Sequence, residues 1–340
     1  MQYRPLGKTG LLVSTLCLGT MVFGENSRRG ADRESATRLL HQFLEAGGNH
    51  VDTANVYAGG RSEEIVGVAI KDRRDQVILA TKVRHAIGQN LNDQGLSRYN
   101  MIRSVEASLR RLQTDRIDLL IAHAWDPLTP LDETMRAFDD LVASGKVRYI
   151  GVSNFKAWQL MKALALSEAH GWMRFVAAQY QYSLVERNIE HEIIELCLQE
   201  GLGLTPWGPL GGGFLSGKYR PGDKPQEGRL AMMPDETEES WLRRSNQRNW
   251  DILQVVDEVA RARQATPSQV ALAWLLRQPA VCSVIVGART PTQLDDNLAA
   301  GQLDLSEEEL ARLSQVSEPD EPYPYRFLKL YASRDLNPDR

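Results

Sequence analysis

Residues 77–83 read VILATKV and residues 281–287 read VCSVIVG, two nearly unbroken apolar runs of strand length. A strand that is apolar on both sides of its pleat has both faces covered, as in a parallel sheet wrapped by helices. Working outward from these two, similar runs recur at 16–20, 50–54, 119–123, 147–153, 175–179 and 203–207. Between them lie amphipathic stretches of helical spacing at 33–46, 97–112, 131–144, 156–170, 189–200 and 250–263. Gly47, Gly48 and Gly145 follow such stretches, and Thr266 precedes Pro267 at the head of another, which is helix-stop and helix-start punctuation. The fold expectation is an α/β protein, a single (β/α)8 TIM barrel domain over residues 1–340, with an open parallel sheet the less favoured arrangement.

Two segments stand outside the repeat. Residues 3–14, with the turn Gly7-Lys8-Thr9-Gly10, read as an N-terminal β-hairpin that plugs the bottom of the barrel. Residues 208–248, rich in Gly, Pro and charge, form a long loop after the seventh strand, and a loop of that length in a compact domain usually has a function. The tail 317–340 carries YPYRFLKLY and reads as a docked extension.

The 40 Lys+Arg against 44 Asp+Glu give a net charge of −4, which excludes a dedicated polyanion binder and sets nucleic acid and membrane surfaces aside as partners. With no apolar run of bilayer length and no signal-peptide pattern in MQYRPLGKTG, the expected location is cytoplasmic. Cys17, Cys197 and Cys282 are far apart among apolar neighbours and read as reduced core thiols, with no metal site expected. GxGxxG, Walker, HExxH and GxSxG motifs are all missing.

Barrel enzymes place catalytic groups at the C-terminal ends of their strands. Here VDTANVY gives Asp52 and Tyr57, ATKV gives Lys82 and IAH gives His123. A lysine in an apolar strand is costly unless an acid faces it, and Asp52 on the adjacent strand is the natural partner. A phenol titrates near 10, so Lys82 is expected to stabilise the Tyr57 phenolate, while His123 orients a substrate oxygen toward Tyr57. Such a site protonates a developing alkoxide. Hydride delivery to a carbonyl creates one, which implies a nicotinamide or flavin. Taken singly, each of these residues also has a purely structural reading. His41, His170 and His191 lie on helical stretches, and His85 stands just beyond the third strand with no partner in the pattern.

Eight segments in order, YRPLGKTGLLVSTLCLGTMVFG, HVDTANVYAGGRSEEIVG, VILATKV, RIDLLIAH, GKVRYIGVSN, AAQYQYSLVER, LTPWGPLGGGFLSGKY and SVIVGARTPTQLDDNL, resemble the aldo-keto reductase superfamily. The chain is most similar to its larger bacterial branch, related to the potassium-channel β subunits. The resemblance implies a barrel that uses NADPH, with Asp52, Tyr57, Lys82 and His123 at the four catalytic positions and Tyr57 as proton donor. It implies a cofactor site that begins at Gly19, Thr20, Met21 and Asp52, with Ser153, Asn154 and Gln179 on the nicotinamide carboxamide and Trp207 stacked on its ring. Gly208, Pro209, Leu210, Gly213 and Lys218 would lie along the pyrophosphate, and Gly287, Arg289, Thr290, Gln293, Asp296 and Asn297 around the adenosine end. Thr290-Pro291 opens a helix whose free N–H groups attract anions, and the Arg289 fork beside it suits a 2′-phosphate, which favours NADPH over NADH.

The loop 208–248 would then clamp the cofactor and open for exchange. Phe23 and Trp125 are the expected pocket walls beside Tyr57 and His123, with the polar segments 21–33 and 84–97 where the pattern departs from the family. The substrate expected is a small carbonyl compound or sugar. A second reading, taken from the β subunits, is a cofactor-binding redox sensor or channel-associated protein. A third keeps the same residues and runs the reaction as alcohol oxidation, with Tyr57 as base. The sequence leaves room for a homo-oligomer.

Overall fold

The computed structural model describes residues 1–24, 30–222 and 224–331. Among the described residues there are ten strands, the last eight of them on the apolar runs: β1 (Tyr3–Pro5), β2 (Leu12–Ser14), β3 (Leu16–Gly19), β4 (His50–Asp52), β5 (Ile78–Val83), β6 (Ile117–Ala122), β7 (Val147–Ser153), β8 (Phe175–Gln179), β9 (Gly203–Leu204) and β10 (Val284–Val286). The first two pair antiparallel as a hairpin. The other eight form one parallel sheet in the order β10-β3-β4-β5-β6-β7-β8-β9. The open edges meet: Leu204 N donates to Ala280 O at 2.8 Å, Cys282 N to Leu204 O at 2.9 Å, and Ile285 N to Pro206 O at 2.9 Å. Strands with helices between them thus curl into the (β/α)8 arrangement.

β9 is shorter than the apolar run 203–207 because Pro206 has no N–H to give the ladder. Pairing continues around it, with Thr205 N on Ala178 O at 2.8 Å and Trp207 N on Tyr180 O at 2.9 Å. The helices start where capping chemistry says they should. Asp32, Ser97, Thr266 and Thr290 each accept a backbone N–H of the first turn of Arg33–Glu45, Arg98–Leu112, Pro267–Leu276 and Pro291–Ala299.

Packing falls into two shells. Inside the barrel, Ala80, Leu119, Ile121 and Ala177 meet Leu6 and Val13 of the hairpin, so the hairpin closes the N-terminal end. Gly7 makes that approach possible: at φ +59 it lies where a Cβ would stand 2.5 Å from Gly201 O. Outside, large buried residues such as Phe43, Phe138, Phe175 and Trp274 fill the layer between sheet and helices. Cys17, Cys197 and Cys282 are all buried and free.

His50, fully enclosed on β4, has Nδ1 2.9 Å from Ser283 Oγ, and burial pushes its pKa down to about 4. An unfolded histidine takes its proton near 6.5, so between those values the unfolded state binds more protons and stability falls as pH falls. Going from pH 6.5 to 5, His50 alone is expected to remove about 2 kcal/mol. Urea midpoints measured across that range test this, because His50→Gln should flatten this part of the curve.

The loop 208–248 holds two short helices, Arg229–Met232 and Trp241–Arg244, after a 3₁₀ turn at Gly211–Ser216. In the tail, Tyr325 stacks on His191 with ring centroids 4.9 Å apart, and residues 332–340 lie outside the described residues. Among the described residues no helix is long and apolar enough to cross a membrane, and no cluster of His, Cys, Asp and Glu could hold a metal ion.

Candidate active site

The parallel register aims the chemistry at one end of the barrel. Asp52, the last residue of β4, pairs with Ala80 of β5, and Lys82 lies two residues further along, on the same inward face. Lys82 Nζ donates to Asp52 Oδ1 at 2.5 Å, to Thr53 O at 2.8 Å and to Tyr57 Oη at 3.2 Å. Gln179 at the end of β8 donates Nε2 to the other Asp52 oxygen at 2.9 Å. All three ammonium donors and both carboxylate oxygens are thereby used, which is how a buried ion pair at 1% and 2% exposure is tolerated.

Tyr57 enters from the turn after β4, where Ala58 takes φ 48 and Tyr57 N donates to Ala54 O at 3.1 Å. Burial raises the Tyr57 pKa more than Lys82 lowers it, so the net direction is upward. Lys82 still favours the phenolate, as expected, but burial outweighs it and the resting group is a neutral phenol. Burial likewise opposes the Lys82 ammonium, but Asp52 and Tyr57 outweigh it and hold its pKa above the ordinary value.

His123 follows β6, its ring edge-on to Tyr57 with centroids 6.0 Å apart. Burial, reinforced by Lys82, pushes its pKa down to about 2, so the imidazole is neutral at any working pH. Asn154, in the left-handed region at φ 56, donates to His123 O at 2.9 Å and to Ser153 Oγ at 2.9 Å, tying the ends of β6 and β7 together.

These groups open onto a cavity of about 750 Å³ that runs past the ends of β3, β8 and β10. Asp52, Tyr57 and His123 are on its wall, and Lys82 is hydrogen-bonded to the first two. Of the expected cofactor residues only Thr290 is not on that wall, and its hydroxyl caps Pro291–Ala299. The far end is basic. Lys218 and Arg289 stand close enough that burial, and then Arg289, lower the Lys218 pKa. Asp296 is on the wall too, its carboxylate held by Thr266 Oγ1 at 2.9 Å and Gln269 Nε2 at 2.8 Å.

The wall fits an anionic dinucleotide. Gly208, Gly212 and Gly213, all at positive φ, bare their backbone to the cavity. Among the described residues Trp207 Nε1 and His123 Nδ1 are buried with no partner, two polar atoms open to a ligand or solvent.

Two expected pocket walls are placed away from the cavity. Phe23 is fully buried, because Phe23 N folds back onto Thr20 O at 2.9 Å and the ring turns into the core. Trp125 packs edge-on against Phe155 at 5.0 Å and leans on Trp158, over the helix Ala157–His170. Neither lines the cavity. Part of the polar segment 21–33, residues 25–29, lies outside the described residues.

His85, set aside in the sequence for want of a pattern, is on the cavity wall with its ring 4.5 Å from His123. Burial and Arg84 lower its pKa. Arg229, also not foreseen, lines the cavity, pairs with the buried Glu239 and reaches Met21 Sδ at 3.8 Å. The loop 208–248 therefore crosses the cavity to the segment after β3. Arg229 carries no sequence signal beyond being one of several cations in a charged loop.

A search of known families matches residues 15–318 to the aldo/keto reductase family. This chain belongs to the aldo/keto reductase family. Among its relatives is an uncharacterized oxidoreductase of Bacillus subtilis, YrpG, 40% identical over 93% of this chain and 96% of its own length. Norsolorinic acid reductase of Aspergillus flavus is 36% identical over 94% of this chain and 81% of that protein. A protein of Arabidopsis thaliana named probable voltage-gated potassium channel subunit beta is 36% identical over 96% of this chain and 100% of its own length. Aldo/keto reductases are oxidoreductases that generally use nicotinamide cofactors, and the cavity of this one has a cationic end and a glycine-lined stretch suited to the phosphates.

Proposed function

We propose that the chain is an NADPH-dependent reductase that converts an aldehyde or ketone to an alcohol. The observation that carries the reading is the neutral Tyr57 phenol hydrogen-bonded to Lys82 on the wall of a cavity whose other end holds Lys218 and Arg289. When bound, the reduced nicotinamide supplies the hydride that turns a carbonyl carbon into an alkoxide carbon. Tyr57 Oη holds the proton that the alkoxide takes, and the Lys82 ammonium, fixed by Asp52, stabilises the phenolate left behind. His123, being neutral, polarises the substrate oxygen by hydrogen bonding without competing for the proton. Arg229 and the loop that carries it exclude water from above.

The preference for a 2′-phosphate rests on Arg289 beside the N-terminus of Pro291–Ala299. Arg289→Ala is expected to weaken NADPH by roughly tenfold or more and NADH far less, a guanidinium–phosphate pair being among the stronger hydrogen-bonded contacts. Fluorescence titration with both cofactors checks it, and equal losses would remove the assignment. The reductase reading is tested by NADPH consumption over a panel of aldehydes, ketones and sugars. Sustained turnover on a carbonyl compound is expected. Tight binding with no turnover on any of them would move the reading to the redox sensor suggested by the β-subunit relative.

A further inference from the structure

Behind the loop 208–248 lies a second cavity of about 320 Å³ that shares no lining residue with the large one. Three stretches meet in it: residues 185–188 beyond β8, residues 243–249 at the end of the loop, and residues 319–320 at the start of the tail. Four arginines face it, Arg187, Arg243, Arg244 and Arg248, against two acids, Glu186 and Asp320. Arg187 is largely satisfied, by Glu190, Ser314 O at 2.6 Å and Ser317 Oγ at 2.7 Å. Arg248 donates to Ser317 O at 2.7 Å. Burial, and then Arg187, lower the Arg248 pKa, with Asp320 and Glu186 opposing them.

Arg244 differs from the rest. Its side chain is 3% exposed, Nη1 donates to Val185 O at 3.0 Å and lies 3.5 Å from Glu186 Oε2. Nε and Nη2 are buried and, among the described residues, have no acceptor. Buried donors are nearly always paired, and those of a guanidinium are among the most expensive to leave empty. Nε and Nη2 are the two nitrogens on one edge of the fork, the edge that takes the two oxygens of a carboxylate or phosphate side by side.

We propose that this cavity is a binding site for a small oxyanion, the phosphate or carboxylate group of a small metabolite, gripped by the Nε and Nη2 edge of Arg244 with Arg243 and Arg248 adding charge. The volume suits a small metabolite rather than a dinucleotide. Because Arg244 ends the helix Trp241–Arg244 in the loop that crosses the large cavity, an anion here fastens that loop to the segment after β8 and to the tail.

The test is isothermal titration of the full chain in an Arg289→Ala background, which removes the guanidinium at the cationic end of the large cavity as a competing anion site. The probes are inorganic phosphate, glycerol 3-phosphate and citrate. One-site binding of at least one probe is expected, weakened by roughly tenfold or more in Arg244→Met. Arg243→Ala, whose side chain is 53% exposed and leaves the fold intact, should weaken it by roughly threefold. Should Arg244→Met fail to fold, the Arg243→Ala loss decides alone. Tighter binding of citrate than of either phosphate assigns the carboxylate source, and the reverse assigns the phosphate source. No binding of any probe, or binding unchanged in both variants, overturns the site.

Discussion

Lys82→Met is expected to destabilise the fold by about 3–5 kcal/mol, the usual consequence of removing one partner of a buried ion pair and leaving the other charge uncompensated. Asp52 is 2% exposed, with one oxygen on Lys82 and the other on Gln179, so solvent replaces the ammonium poorly. The loss should appear as a lower urea midpoint with an unchanged slope. Adding Asp52→Asn should restore part of it, since the second change removes the stranded charge, and the two effects are coupled rather than additive. A Lys82→Met protein as stable as the parent would mean that the pair is not buried as described. Turnover should be lost from the same variant even under conditions where it stays folded. Without Lys82 the Tyr57 pKa, already raised by burial, loses the contribution that lowers it.

Tyr57→Phe has the opposite profile, a large effect on chemistry and a small one on the fold. The substitution deletes one hydroxyl, and Lys82 keeps its bonds to Asp52 and Thr53. Loss of a general acid typically costs 10²–10⁴-fold in rate, so kcat should fall by about that factor. Cofactor affinity should survive, because the cations Lys218 and Arg289 lie at the far end of the cavity. Stopped-flow turnover beside fluorescence binding separates the two quantities. A Tyr57→Phe enzyme that turns over at the parent rate would transfer the proton-donor role to another group, and His85 on the same wall would be the first to examine.

Much of this was legible because barrel periodicity and strand-end position are local properties of the chain. The apolar runs gave the eight strands of the ring, and Thr266-Pro267 and Thr290-Pro291 gave helix starts whose side chains do cap. Asp52 and Lys82 could be paired on paper because parallel register puts neighbouring strand ends side by side. What escaped depends on which way a side chain turns. Phe23 and Trp125 have the right residue type and place in sequence, yet a backbone turn at Thr20 and packing on Phe155 take both rings away from the cavity. His85 and Arg229 lack any motif; folding alone brings one beside His123 and the other across to Met21. The net direction of the Tyr57 shift was out of reach for a related reason. Proximity to Lys82 can be inferred from sequence, but the depth of burial that outweighs it cannot.

The central claim is that hydride passes from bound cofactor to a carbonyl carbon at the Tyr57 end of the cavity. The most direct test incubates the protein with an aromatic aldehyde and NADPH deuterated at the transferable position of its nicotinamide ring, then examines the product by mass spectrometry. The account predicts alcohol carrying deuterium on the former carbonyl carbon, formed in step with oxidised cofactor and nearly abolished in Tyr57→Phe. Cofactor that binds and stays reduced, or alcohol that forms without the label, would contradict it.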